Sequence, residues 1–324
     1  MSKMSFFTVL MMLLFTAHIQ QVAAAPSNQI RSIKAYNKKY VYLADVARYY
    51  GMSYKSYKDS AKLQSKYSDI DFIYGKRQGK LNGIVVNYLN APFSRKGEAM
   101  ISEKDFLLMI DPILRYKALK KHNVKTIVID AGHGGKDHGT SGKYNKEKDI
   151  ALSMSRKLRW LLKKSGYSVV LTRDSDVKIP LEKRPELANQ NKGDLFISIH
   201  CNSAGSTVKG VETYCLTPAG TASTRDVKPS STAYAGNAND KNNARLAFEI
   251  HRSVISKTRG ADRGTRHARF VVLKTAKSPA ILIETGYLSN SEEEKKLSSD
   301  AYQNTIVNAI YEGIVRYHRE VIRR

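Results

Sequence analysis

Ile127-Val128-Ile129-Asp130-Ala131-Gly132-His133-Gly134-Gly135 joins an unbroken apolar run to a glycine-rich turn with a histidine inside it. A β-branched run without polar alternation is the pattern of a strand buried on both faces, as in a parallel sheet covered by helices. The glycines let the backbone turn sharply and pass close to a ligand. Two further strands end on a polar residue in the same way: Leu195-Phe196-Ile197-Ser198-Ile199-His200 and Ile281-Leu282-Ile283-Glu284. Between the first two, Ile150, Leu152, Met154, Leu158, Leu161 and Leu162 form the apolar stripe of a helix over 147–164, with Lys and Arg opposite. Strands are predicted at 126–129, 168–171, 195–199, 211–216, 270–273 and 280–283, and helices at 147–164, 181–190, 244–257 and 301–323. Ser291 with Glu294 predicts a capping box for one more short helix ending near Leu297. The alternation defines an α/β fold: a mostly parallel twisted sheet with helices on both faces.

Open α/β sheets bind ligands beyond the carboxyl ends of their strands, where His133, His200 and Glu284 fall. Glu147, the first residue of its helix, is aimed at the same crevice by the preceding turn. Two imidazoles and one carboxylate suit zinc, and three protein ligands leave a position for water, the catalytic arrangement. His133, Glu147 and His200 are therefore the candidate metal ligands. Glu284 is the candidate for moving protons, which amide hydrolysis requires because the leaving nitrogen must be protonated. Asn202 and Arg184 are candidate substrate-binding residues, whereas Arg173, in a Thr-Arg-Asp turn, reads as structural. His138 and His267 stand apart from the ligand pattern.

Composition narrows the setting. Lys3, the apolar run Phe6 to Phe15 and Val22-Ala23-Ala24-Ala25 have the layout of a secretory signal peptide over residues 1–24. The run is short for a membrane span and no later one is longer, so no transmembrane helix is expected in the mature protein. The expected location is the periplasm or cell envelope, or the medium. A net charge of +25 favours an anionic partner, and outside the cytoplasm cell-wall polymers outrank nucleic acid. Two cysteines, Cys201 and Cys215, exclude a disulfide scaffold. Residues 30–119, rich in Tyr and Lys and without clustered His, Asp and Glu, read as a small α+β accessory domain ahead of a catalytic domain over 125–324.

Residues 125–324 closely resemble the zinc-dependent N-acetylmuramoyl-L-alanine amidases. The resemblance runs through 130–135, Glu147-Lys148-Asp149-Ile150, Leu171-Thr172-Arg173-Asp174, Phe196 to Asn202, Gly210-Val211-Glu212-Thr213 and Glu284-Thr285-Gly286-Tyr287-Leu288-Ser289-Asn290. It implies zinc at His133, Glu147 and His200, catalysis by Glu284, and cleavage between the lactyl group of N-acetylmuramic acid and L-alanine in peptidoglycan. Residues 30–119 resemble the N-terminal domain of copper amine oxidases, through 41–47 and 99–105 ahead of Asp111-Pro112, without implying their copper chemistry. Such a module would hold the enzyme near anionic cell-wall polymers or an envelope protein. Some amidases of this kind carry a helix that plugs the site after the strand matching 211–216; 217–242, rich in Gly, Ser and Asn, is a poor helix former and reads as a long loop. Cys201, beside His200, raises the expectation of thiol sensitivity near the metal. Two alternatives are a non-catalytic peptidoglycan-binding protein and a secreted metal-dependent nuclease. The first is opposed by the full ligand set with Glu284, and the second by a donor set suited to zinc rather than magnesium.

Overall fold

The computed structural model of the protein describes residues 29–225 and 228–323, so the predicted signal peptide lies outside the described residues. The strands of the C-terminal half are β1 (Thr126–Ala131), β2 (Ser168–Leu171), β3 (Leu195–Asn202), β4 (Val211–Leu216), β5 (Asp262–Ala268) and β6 (Ala280–Tyr287). They lie in the order β2-β1-β3-β6-β4-β5. The first four are mutually parallel, β4 runs antiparallel to β6, and β5 is parallel to β4. Helices α1 (Glu147–Lys164), α2 (Lys183–Gln190), α3 (Asp240–Thr258), α4 (Val271–Lys274), α5 (Ser291–Leu297) and α6 (Asp300–Ile322) complete this half.

Side-chain alternation divides the strands between two cores. Ile127, Ile129, Leu195, Ile197, Ile199, Ile281 and Ile283 pack against α1, α3 and α6. Val128, Phe196, Leu282, Tyr214 and Leu216 face the other way, towards Ala188 of α2 and Val272 and Leu273 of α4. Helices therefore cover both faces, as predicted. His200 and Glu284 share the second face, so they leave the apolar core at its carboxyl edge rather than interrupt the first.

Three local expectations are corrected. Residues 270–273 open a helical turn, and the strand lies earlier, at Asp262–Ala268. The segment Asp-Arg-Gly-Thr-Arg-His-Ala lacks apolar alternation because its buried residues are Gly264, Thr265 and His267, while the partly exposed Arg263 and Arg266 pair with buried Glu212. The cap of α5 is Asn290, whose side chain accepts from the amides of Glu292 and Glu293, in place of the predicted Ser291–Glu294 box. Glu294 is engaged elsewhere, accepting from the amides of Lys143, Tyr144 and Asn145. The described part of 217–242 is mostly loop, as expected, with Thr221–Ala222 paired to Pro229–Ser230 and a 3₁₀ turn at Ala235–Asn239, but α3 begins at Asp240 rather than Ala244.

The N-terminal half is β-rich. A meander of Ser53–Ser56, Ser60–Gln64, Asp69–Ile73, Gln78–Leu81 and Ile84–Asn87 continues the C-terminal sheet, so that among the described residues one sheet has eleven strands. The join is a parallel bridge between Val86 and Thr265 of β5. Polar contacts fasten it: Asp262 Oδ2 accepts from the Val85 amide at 2.8 Å, and Arg77 donates to the carbonyls of Ser223 and Ala222 at 2.9 and 3.2 Å. Phe248 of α3 is buried in the apolar cluster of this half.

His267 is buried at that seam, and burial, reinforced by nearby Arg77, pushes its pKa down to about 3. A histidine depressed in the folded state leaves stability intact above its ordinary pKa and removes it progressively as pH falls below that value. At pH 5 the loss is roughly 2 kcal/mol relative to an unfolded-state histidine near 6.5. The thermal midpoint of the wild type should therefore fall more steeply between pH 7.5 and 5 than that of His267→Gln, measured by circular dichroism; parallel curves would remove His267 from the account.

Candidate metal centre and active site

His133, Glu147 and His200 are brought together, with one donor atom from each lying within 4.8 Å of the others. Glu147 is the hub. Its Oε2 faces His133 Nε2 at 3.1 Å and its Oε1 faces His200 Nδ1 at 2.7 Å. The same two oxygens accept from the amides of Thr140 and Cys201 at 2.8 and 3.0 Å, which fixes the carboxylate. Burial alone would raise the Glu147 pKa, but hydrogen bonds from both histidines outweigh it and hold the carboxyl well below the usual range. Burial likewise opposes protonation of His133 and His200, and Glu147 outweighs it in both, leaving their pKa values raised. Two imidazoles converging on a carboxylate that favours its ionised form could hold a cation, and the nitrogen and oxygen donors fit zinc.

The local backbone explains the convergence. His133 sits at φ 58°, a left-handed conformation that costs a non-glycine residue about 1–3 kcal/mol. A Cβ on Gly132 would come within 2.5 Å of the His200 ring, and one on Gly139 within 2.4 Å of Glu147 Oε2. These glycines are small so that ligands can approach across them. Asp137 Oδ1, 2.9 Å from His133 Nδ1, orients the ring so that Nε2 points at Glu147. Sequence reading did not single out Asp137; an acid four residues after a candidate ligand, within the same turn, was the available signal. An outer carboxylate of this kind typically contributes 10- to 100-fold to metal affinity. Asp137→Asn should therefore weaken metal binding by about that factor without unfolding the protein, as read by competition with a chromogenic chelator.

Glu284 is the direct register neighbour of His200 in β6. Burial pushes its pKa up to about 7, and its Oε2 finds no hydrogen-bond partner among the described residues. A carboxyl that gains and loses a proton near neutrality, beside a cation site, is suited to general acid–base work.

Arg184 and Arg173 lie beneath the loop rather than on its open side. Arg184 donates to Asp130 Oδ1, the Ala131 carbonyl and the His133 carbonyl, each at 2.8 Å, and its side chain is 2% exposed. Arg173 bonds the carbonyls of Ala131, Gly132 and Lys148. The substrate-binding expectation for Arg184 is thus corrected: its guanidinium is consumed in holding the histidine-bearing turn. Breaking a buried pair typically costs about 3–5 kcal/mol, so Arg184→Ala should lower the denaturant midpoint by that equivalent. Asn202 lies at the site edge, with its side-chain amide donating to Glu212 Oε2 at 3.0 Å. His138 and His267 are not part of the cluster. Cys201 and Cys215 are free and buried, and burial raises both thiol pKa values, so the expected thiol sensitivity is corrected too.

A sheet-edge site that groups this donor set with an adjacent uncompensated carboxyl is the arrangement of a hydrolase with a candidate metal centre. The chain belongs to the N-acetylmuramoyl-L-alanine amidase family Amidase_3, whose model matches residues 127–316. It is 36% identical over 194 residues to the uncharacterized protein YqiI of Bacillus subtilis, covering 60% of this chain and 85% of that one. It is 31% identical over 228 residues to the N-acetylmuramoyl-L-alanine amidase AmiA of Escherichia coli, covering 62% and 78%. Among solved structures, the catalytic domain of CwlV, an N-acetylmuramoyl-L-alanine amidase from Bacillus (Paenibacillus) polymyxa, superposes with a TM-score of 0.51 at 35% identity, covering 60% of this chain and 98% of that one.

Proposed function

We propose that this chain is a zinc-dependent N-acetylmuramoyl-L-alanine amidase that cuts peptidoglycan between the lactyl group of N-acetylmuramic acid and L-alanine. The observation that carries the reading is the pairing of the His133, Glu147 and His200 cluster with Glu284, whose buried carboxyl is pushed up to about 7. His133, Glu147 and His200 would hold the zinc, which when bound would supply polarisation of the scissile carbonyl and acidification of water. Asp137 keeps the His133 ring turned towards the ligand position. Glu284 takes a proton from the attacking water and delivers it to the amide nitrogen, which then leaves as a neutral amine. The rigid glycine turn, underpinned by Arg173 and Arg184, keeps these groups in place through the reaction.

The enzyme acts outside the cytoplasm, in the periplasm or cell envelope, after removal of residues 1–24. Among the described residues, no helix is long and apolar enough to cross a membrane. The net charge of +25 serves retention on anionic cell-wall polymers. The described part of 217–242 is mostly loop, which supports a site without a plugging helix, and the purified mature protein is then expected to be active alone. A synthetic muramoyl peptide tests the reading: a free alanine amino group should appear with the zinc-loaded protein, disappear after chelation, and return on adding zinc. Undiminished release in excess chelator would overturn the metal assignment.

A further inference from the structure

Glu212 is the sheet position beyond Glu284, its antiparallel register partner on β4, and is fully buried. His200, Glu284 and Glu212 therefore form a row across β3, β6 and β4; on β5 Arg263 falls in the register shift alongside Glu212, and Arg266 pairs with Tyr214. Glu212 Oε1 pairs with Arg263 Nε at 2.8 Å and Arg266 Nη2 at 3.2 Å, and Oε2 lies 3.6 Å from Arg225 Nη2. The hydroxyls of Tyr214 and Tyr287 and the Asn202 amide also donate to it, at 2.6, 2.7 and 3.0 Å. Glu212 thus has more donors than its own charge requires. Three guanidinium groups face one carboxylate, leaving excess positive charge at the end of the row. The arginines are not sealed: the Arg263 and Arg225 side chains are 34% and 63% exposed. Arg263 also lies over the Tyr287 ring at 5.3 Å, which fixes its orientation.

We propose that Arg263, Arg266 and Arg225, organised by buried Glu212, form an anion subsite that binds a carboxylate of the stem peptide on the leaving-group side of the scissile amide. This rests on the amidase reading above. Neighbouring strands are about 4.8 Å apart, so β5 lies roughly 10 Å from Glu284 along the row. An extended peptide advances about 3.3–3.6 Å per residue, so with the amide at Glu284 a carboxylate two or three residues along reaches the arginine side chains. Planar guanidinium groups suit carboxylates because they can donate two parallel hydrogen bonds. Glu212 is then a positioning residue: it holds Arg263 and Arg266 in place while Arg225, the most exposed, completes the subsite from the loop.

The test compares N-acetylmuramoyl-L-alanyl-D-isoglutamate, which has a free α-carboxylate, with its α-carboxamide. Both are assayed by cleavage and, using the Glu284→Gln protein, by equilibrium binding. We expect kcat/KM for the acid to exceed that for the amide by 10-fold or more, mainly through KM. Arg225→Gln should reduce the acid-over-amide ratio at least threefold, mainly through KM for the acid, and Arg263→Lys should restore only part of what Arg263→Gln loses. Equal cleavage and binding of acid and amide by the wild type would overturn the subsite while leaving the amidase intact. Cleavage of neither compound, with binding that still favours the acid and loses that preference in Arg225→Gln, would sustain the subsite and overturn the amidase reading. Loss of binding to phosphate-bearing wall polymer in Arg225→Gln, with acid-over-amide discrimination unchanged, would reassign the cluster to polymer retention and overturn the proposal.

Discussion

Glu284→Gln is expected to lower kcat by about 10²- to 10⁴-fold while the protein binds zinc as well as wild type, as measured by turnover of a muramoyl peptide alongside metal analysis. Glutamine keeps the size of the side chain and removes only its ability to carry a proton. The site should not rearrange, because Glu284 Oε2 makes no hydrogen bond among the described residues that the amide would break. Nor is Glu284 one of the residues grouped for the cation. A fall in kcat with KM nearly unchanged identifies a group that acts in the transition state rather than in ground-state binding. Loss of zinc together with activity would instead make Glu284 part of the metal site.

His200→Ala should reduce activity to background and weaken zinc binding by far more than the roughly 10- to 100-fold expected of an outer-shell change such as Asp137→Asn. The substitution removes a donor and opens the space that the ring fills beside Gly132. It also leaves Glu147 Oε1 without its 2.7 Å partner, although the Cys201 amide still donates to it at 3.0 Å. Folding should therefore survive, as judged by circular dichroism, while metal analysis shows substoichiometric zinc. Retained zinc with full activity would remove His200 from the ligand set.

The parts of this molecule that obey a period were legible in its sequence. The apolar strands at Thr126–Ala131, Leu195–Asn202 and Ala280–Tyr287 and the striped helix Glu147–Lys164 are governed by burial of hydrocarbon, and burial repeats with the backbone. The grouping of His133, Glu147 and His200 as candidate ligands was legible because they stand at or near the ends of those same elements. The strand Asp262–Ala268 was hidden because its buried positions are Gly264, Thr265 and His267 rather than hydrocarbon, and its arginines are satisfied by a distant carboxylate that no local window reveals. Arg184 read as a candidate substrate-binding residue and is instead buried, a placement no local window shows because its partners, Asp130 and the His133 carbonyl, are more than fifty residues away in sequence. Asp137 was overlooked for a different reason: its role depends on the left-handed turn at His133, which brings two residues of one loop face to face. The continuous sheet that joins the two halves rests on one bridge, Thr265 with Val86, and has no sequence signal at all.

Mass spectrometry of intact peptidoglycan digested with the mature protein tests the central claim most directly, run with zinc, with chelator and with Glu284→Gln. The account predicts zinc-dependent release of stem peptides with a free L-alanine amino terminus and glycan strands left uncut, with both the chelator and the variant abolishing release. Peptidoglycan that stays intact with the zinc-loaded wild type, or cleavage at a glycosidic or peptide cross-link bond instead, would contradict it.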